Sequence, residues 1–460
     1  MKIKDIRQNP ELYSNICIER NYKALRDNPF LIVKLFDEWL QSQKKARGLR
    51  EKSNVVRSKL SHAKTFSGLE AGSKAVESTD REELLREARS LKEQLSKIEA
   101  RDEELSEEID SLAAELPNLT SHETPKGEEP QIIGYINERR KHSSTSKDLQ
   151  WKSHVHIGNE FDLLDFSGAA TTSGWGWYYL KNEAALLEQA LIQYALKIAM
   201  ERGFKVCTPP SMVYTHMASA CGFRPRDQNG EQQIYTIRKG NKDELEDEST
   251  PSHSLAGTAE IPFASMKANM ILDHADLPIC VIGPSRCYRA EAGARGAGTK
   301  GLYRVHEFTK VEMLAWTSPG AETDMFQSML AIQKEILKSL GLHCRILEMP
   351  STDLGSNATR KQDIEAYFPS RQSKNDGWGE VTSASICTDY QTRRMNTRVK
   401  GLTGSLSKTD FPSTINATAV AVPRVLAALL ENGWDDQGSV RIPEVLWPWM
   451  HGIKKLTKKR

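Results

Sequence analysis

Cys287–Ala315 reads CYRAEAGARGAGTKGLYRVHEFTKVEMLA. An apolar run, Pro278–Ile282, leads into it, then Arg289-x-Glu291, a glycine-rich stretch, and Arg304-Val305-His306-Glu307-Phe308 followed by Val311-Glu312. The pattern predicts a β-hairpin closed by a long loop. It brings two arginines, an aromatic ring and two carboxylates into one region. A guanidinium is a planar, permanent donor suited to phosphate oxygens. A ring such as Phe308 can lie flat on a nucleobase, for about 1–3 kcal/mol by analogy with base stacking. An ordinary salt-bridged hairpin has the same spacing, so spacing by itself does not choose between them. Gly293–Lys300 (GARGAGTK) is not a P-loop, because Thr299 separates the last glycine from Lys300 and no apolar strand runs directly into the glycines.

Outward from this hairpin the chain has two textures. From about Trp151 onward, short β-branched and aromatic runs alternate with Gly/Pro punctuation and helical segments, which predicts an α+β domain. Within it, Glu183–Arg202 is an amphipathic helix followed by Gly203 and Pro209-Pro210. The N-terminal quarter is different. From Asp80 to Leu116 there is no Gly or Pro, and Leu84, Ala88, Leu91, Leu95, Ile98, Asp102, Leu105, Ile109, Leu112 and Leu116 step by four and three. That is a coiled-coil seam with one polar member, opened by a capping box at Asp80 and Glu83 and closed by Pro117. Leu35 to Ala63 carries a weaker seam, and Thr65–Thr79 with Gly68 and Gly72 is a reversal. A helical hairpin follows, its arms about 30 residues and roughly 45–50 Å long. Residues 118–150 are polar and read as a linker, giving domains 1–117 and 151–460.

Composition narrows the function. The chain has 460 residues, 38% hydrophobic and 27% charged, enough for a substantial core. Its 63 basic and 61 acidic side chains leave a net charge of +2, so bulk charge does not argue for nucleic acid. A local stripe does: residues 35–64 hold eight Lys/Arg against three Asp/Glu, whereas residues 81–116 hold six against twelve. Lys44, Lys45, Arg47, Arg50, Lys52, Arg57, Lys59 and Lys64 form either a solvated face paired with the acidic helix or a track for a phosphate backbone. Seven scattered cysteines with no C-x-x-C fit free thiols in a reducing compartment. His154-x-His156 has no carboxylate or thiol at ligand spacing and reads as core or surface histidines. No run suggests a membrane helix, and Met1–Pro10 has no secretory h-region.

Taken together, Cys287–Ala315 resembles motif 2 of a class II aminoacyl-tRNA synthetase, specifically the seryl-tRNA synthetase family. Other segments resemble that family in order. They are Gly203–Pro210 after the long helix (motif 1), Gly257-Thr258-Ala259-Glu260-Ile261-Pro262, Asp353-Leu354-Gly355, and Asp363–Tyr367. There follow Glu380-Val381-Thr382-Ser383-Ala384-Ser385, Asp389-Tyr390-Gln391-Thr392-Arg393-Arg394, Asn416–Arg424 with Leu429-Leu430-Glu431 (motif 3), and Val440–Leu446. The resemblance spans nearly the whole chain. It implies an antiparallel class II sheet flanked by helices, with an N-terminal helical hairpin as a tRNA-binding arm.

The implied reaction joins serine to ATP as seryl-adenylate and then to the 3′ end of tRNA(Ser). The catalytic residues implied are Arg289, Arg424 and Glu380. ATP would lie on Arg289, Ala290, Glu291, Arg304, Val305, Phe308, Glu380, Val381, Thr382, Ser383 and Arg424. Serine would lie among Thr258, Ala259, Glu260, Arg289, Glu312, Asn416 and Thr418. Glu380 and Ser383 would hold Mg²⁺, a hard ion that prefers oxygen. Lys44, Lys45, Arg47, Arg50, Arg57 and Lys59 would meet the long variable arm of tRNA(Ser), in a homodimer; neither a membrane nor DNA is an expected partner. Arg393 and Arg394 read as structural ion-pair partners, and the basic tail from Lys454 to Arg460 as solvated and disordered. Motif 3 departs from the bacterial pattern: Ala417, Ala419 and Pro423 stand where that pattern has glycines or lacks proline. The Ala-Val-Pro-Arg run resembles mitochondrial members, so the expected compartment is the mitochondrial matrix, with cytoplasm as the alternative. A catalytically inactive relative that binds tRNA or a protein, and a coiled-coil scaffold, remain the rival readings.

Overall fold

A computed structural model describes residues 3–66, 74–139, 152–223, 233–237, 252–290, 301–401, 408–435 and 437–458. The chain divides after Pro117 into two compact units.

In the first unit, α1 (Asn28–Phe66) and α2 (Lys74–Glu115) pair along their length, and two short helices, Ile3–Gln8 and Pro10–Glu19, pack on α1. Every seam residue from Leu84 to Leu116 is buried or half-buried, and nearly every position between them is exposed. The period of the apolar residues therefore sets the packed face. The arms are longer than the seam predicts, at 39 and 42 residues, or about 60 Å each. Asp80 and Glu83 do not cap α2: the helix starts six residues earlier, at Lys74. Of the predicted reversal Thr65–Thr79, Thr65, Phe66 and Lys74–Thr79 are helical, and residues 67–73 lie outside the described residues. Arg50–Glu99 and Arg101–Glu38 link basic and acidic arms at 3.0 and 2.9 Å.

Asp102 is buried in the seam, where its Oδ2 accepts from Gln43 Nε2 at 2.7 Å and its Oδ1 has no hydrogen bond. A polar group at such a position fixes register at a cost in stability. Asp102→Leu should slow amide hydrogen exchange across both arms, by roughly tenfold for ~1.4 kcal/mol. Unchanged or faster exchange would contradict this.

The second unit is built on an eight-stranded sheet. Its strands are β1 (Gln131–Ile136), β2 (Lys205–Val206), β3 (Ile279–Tyr288), β4 (Glu307–Thr317), β5 (Cys344–Glu348), β6 (Arg360–Tyr367), β7 (Trp378–Thr388) and β8 (Ser413–Ala421). Their order is β1-β5-β6-β7-β8-β4-β3-β2. All neighbours are antiparallel except β2 and β3. The segment expected to be a linker supplies edge strand β1, paired with β5; its Gln-Ile-Ile-Gly-Tyr-Ile run is β-prone enough to extend the sheet despite polar flanks. The polar tract His142–Lys147 lies outside the described residues.

Helices α3 (Asn182–Met200), α4 (Glu322–Ser339) and α5 (Val422–Gly433) cover one face of this sheet, burying Val311, Met313 and Ala315 of β4 beneath them. Side chains alternate along a strand, so Leu314 and Trp316 enter a smaller core on the opposite face with Ile261 and Phe263. Phe308, Lys310 and Glu312 continue that second face toward the hairpin loop. The expected disordered tail instead folds back: Lys455–Thr457 pairs with Ser439–Arg441 and buries Leu456, whose apolar side chain anchors it. All seven cysteines are free thiols.

Candidate active site

The site lies on the face of the sheet that α3 to α5 leave uncovered. β3 and β4 form the predicted hairpin, with Phe308 opposite Cys287 and Glu312 opposite Gly283. Arg289 extends the ladder by one step, its N–H donating to His306 O at 2.9 Å, and its guanidinium carbon sits 5.3 Å from the Phe308 ring centre. Val305 is buried, Ala290 half-buried, and Arg304 exposed. Glu291 and the glycine-rich turn lie outside the described residues.

Two β-bulges determine which side chains share this face. On β7, Thr382 pairs with Ile364 but Glu380 pairs with Glu365, so Val381 is the extra residue. A bulge resets the alternation, placing Glu380 and Ser383 on one side while Thr382 turns into the core. There the Thr382 hydroxyl donates to Thr418 O, and Gln333 of α4 donates to Thr418 O at 2.8 Å. On β4 and β8, Val311 pairs with Val420 but Glu312 pairs with Thr418. The register shift sets the Thr418 hydroxyl against Glu312 Oε2, at 3.0 Å.

A buried pocket of opposed charges results. Lys310 Nζ meets Glu312 Oε2 at 2.8 Å, both side chains almost fully buried. Glu260 stands in a short helix, Glu260–Ser265, after Thr258 and Ala259, all buried. Its Oε1 accepts from Asn357, Gln391 and Asn416 at 2.8, 2.5 and 2.7 Å. Burial, then the Glu312 carboxylate, raise the Glu260 acid to about 7 against the opposing pull of Lys310.

Glu380 behaves oppositely. Burial in the cleft disfavours its charge, but Arg424, then Lys361 and Arg289, outweigh burial and hold it down at about 2. Arg424, in the first turn of α5, donates from Nη1 to the Glu380 carbonyl at 3.0 Å and to Oε2 at 3.1 Å, and from Nε to Tyr303 O at 3.1 Å. Asp363 faces Ser383 across the ladder and binds Lys361 at 2.9 Å; burial first, and Glu380 after it, raise it to about 6. Its Oδ1 is buried without a hydrogen bond. Glu380, Ser383 and Asp363 are an oxygen-only donor set, of the kind Mg²⁺ prefers.

The fold thus brings together Thr258, Ala259, Glu260, Glu312, Asn416 and Thr418 in one pocket, and Arg289, Glu380, Ser383 and Arg424 beside it, whereas the bulge sends the side chains of Val381 and Thr382, expected at ATP, into the core on the helix-covered face. Arg304 is exposed at the hairpin mouth. Arg393 forms an ion pair with Asp389, and Arg394 lies over the Tyr390 ring at 3.4 Å and donates from Nη1 to the Tyr390 carbonyl at 3.0 Å. Lys310, Asn357, Gln391, Tyr303 and Asp363 were not assigned roles from sequence. A charged Lys310 at an inward-facing step of β4 is one available signal, and Tyr303, Asp363 and Gln391 lie within the segments that resemble the family; Asn357 meets the site only through the fold. Tyr303 packs against Gly379, where a Cβ would overlap its hydroxyl.

Two family models match the chain: the class II core domain of the G, H, P, S and T tRNA synthetases over residues 242–433, and the seryl-tRNA synthetase N-terminal domain over residues 1–120. The mitochondrial serine–tRNA ligase of Saccharomyces cerevisiae is 41% identical over 79% of this chain and 77% of its own length. The serine–tRNA ligase of Rhodopirellula baltica is 38% identical over 97% of each. A crystal structure of the Pyrococcus horikoshii seryl-tRNA synthetase complexed with ATP superposes with a TM-score of 0.86 at 31% identity, covering 100% of both chains.

Proposed function

This chain belongs to the seryl-tRNA synthetase family of class II aminoacyl-tRNA synthetases, and we propose that it runs the family's two steps with the residues just described. It activates serine with ATP and charges tRNA(Ser). The serine carboxylate attacks the α-phosphorus, the bond from that phosphorus to the bridging oxygen breaks, and pyrophosphate leaves. A ribose hydroxyl of the terminal adenosine then attacks the carbonyl carbon of seryl-adenylate, and AMP leaves.

The observation that carries the assignment is the convergence of two guanidinium groups, Arg289 and Arg424, on a cleft beside a buried carboxylate pair, Glu260 and Glu312. Arg289 holds the α-phosphate and meets the charge that builds there; Arg424 holds the far phosphates. The adenine rests against Phe308. Glu260 and Glu312 take the serine ammonium, and Thr418 with Asn416 bounds its hydroxyl. A hydrogen-bonded hydroxyl is how such a site rejects alanine, while crowding rejects threonine. Mg²⁺ would be held by Glu380 and Ser383, with Asp363 adjacent, and when bound it neutralises phosphate charge. Lys44, Lys45, Arg47, Arg50, Arg57 and Lys59, all exposed on α1, follow the variable arm of tRNA(Ser). Exposed Met200 at the end of α3 and exposed Val206 in motif 1 support a homodimer, and the kinship with a mitochondrial enzyme supports a mitochondrial location.

Charging of unfractionated tRNA with labelled serine tests the whole reaction. Serine should appear on tRNA(Ser) and not on tRNA shorn of its variable arm. Adenylate formation without any transfer would overturn the second step.

Glu260 gives a pH prediction. Its acid is raised, so the folded chain keeps a proton that the unfolded chain releases. This group's stabilisation is fully present below the ordinary carboxylate range and is lost as pH rises to about 7. A cationic ammonium favours the ionised form, so KM for serine should rise as pH falls below about 7, by at most roughly tenfold per unit. Glu260→Gln should flatten that dependence; an unaltered profile in the variant would rule Glu260 out.

A further inference from the structure

His154 is buried and touches none of the groups assigned above, yet three hydrogen bonds hold it in one orientation. Its backbone N–H donates to Glu431 Oε1 at 3.1 Å, and ring Nδ1 lies 2.8 Å from the same oxygen. Leu302 N–H donates to Nε2 at 3.1 Å. A backbone amide can only donate, so Nε2 is the acceptor, and the ring proton sits on Nδ1, given to Glu431. Glu431 is fully buried and accepts from Ser370 N–H at 3.2 Å and its hydroxyl at 2.9 Å. Gly301 has φ +75°, and a Cβ there would overlap Nε2, so the turn fits closely over the imidazole.

The last residue of that turn, Tyr303, reaches the ATP side of the site. Its carbonyl accepts from Arg424 Nε, and its ring packs on Gly379, beside Glu380, with the Arg371 guanidinium 3.6 Å from its centre. Arg424 and Glu431 are seven residues apart, two turns along α5. The helix is thus tied twice to the same turn: directly at Arg424 and through His154 at Glu431. We propose that His154 is a positioning residue for the ATP subsite, holding the Gly301–Tyr303 turn so that Arg424 and Glu380 keep their geometry. The inference rests on the assignment of Arg424 and Glu380 to the phosphates.

The experiment is serine-dependent ATP–pyrophosphate exchange by the full chain, with ATP and serine varied separately. Variants are His154→Ala, His154→Gln, His154→Asn and, as control, Arg424→Ala. Small misplacements in such sites cost about 100-fold, and His154→Ala should lose about that in kcat/KM for ATP while KM for serine stays within about twofold. A glutamine amide oxygen reaches the position of Nε2, whereas asparagine reaches only that of Nδ1. Gln should therefore restore most of the loss and Asn should not. Where the alanine variant fails to fold, the Gln–Asn comparison carries the test. An equal rise in KM for ATP and for serine, unchanged kinetics, or rescue by Asn as good as by Gln would each overturn the inference. Normal ATP kinetics in Arg424→Ala would instead overturn the ATP-site assignment, and this inference with it.

Discussion

Arg289→Ala should reduce serine-dependent ATP–pyrophosphate exchange by about 10²–10³-fold in kcat, the usual loss on removing one preorganised donor from a developing charge. The residue sits at the end of β3, half-buried, with its guanidinium near Phe308 and its charge felt by Glu380. Its backbone bond to His306 is kept by any side chain, so the fold and melting temperature should change little. Arg289→Lys keeps the charge but loses the planar fork, and should recover only part of the rate. A kcat within about threefold of the parent for the alanine variant would remove Arg289 from the reaction.

Glu312→Gln should damage both stability and serine recognition, and the two can be separated. Lys310 and Glu312 are a buried pair, and removing one partner strands the other charge, at a cost of about 3–5 kcal/mol. The stranded Lys310 would also repel the serine ammonium, so KM for serine should rise by about 100-fold or more while KM for ATP changes little. Adding Lys310→Met removes the stranded charge. The double variant should regain most of the lost stability, measured by denaturant unfolding, without regaining serine affinity. Recovery of serine affinity in the double variant would show that Glu312 serves only to neutralise Lys310.

Much of this was legible in the chain itself, for local reasons. The seam of α2 was readable because period alone decides which side of a paired helix is buried, and even its polar member, Asp102, proved to be inside. The hairpin of β3 and β4 was readable because its charges and glycines lie within thirty residues. What sequence did not reveal depends on distant contacts. Gln391 meets Glu260 across 131 positions, and His154 meets Glu431 across 277. The bulges at Val381 and between Val311 and Glu312 decide which side chains enter the site, yet nothing in their residues marks a bulge. The polar flanks of β1 hid a strand that only a waiting sheet edge stabilises.

The central claim is that this cleft activates serine. Exchange of labelled pyrophosphate into ATP, with Mg²⁺ and the purified chain, tests it directly when serine is set beside threonine, alanine and no amino acid. The account predicts exchange that depends on serine and falls by at least about 100-fold with alanine, whose missing hydroxyl leaves the polar groups around Thr418 unpaired. No exchange from a folded protein, or exchange driven equally well by another amino acid, would contradict it.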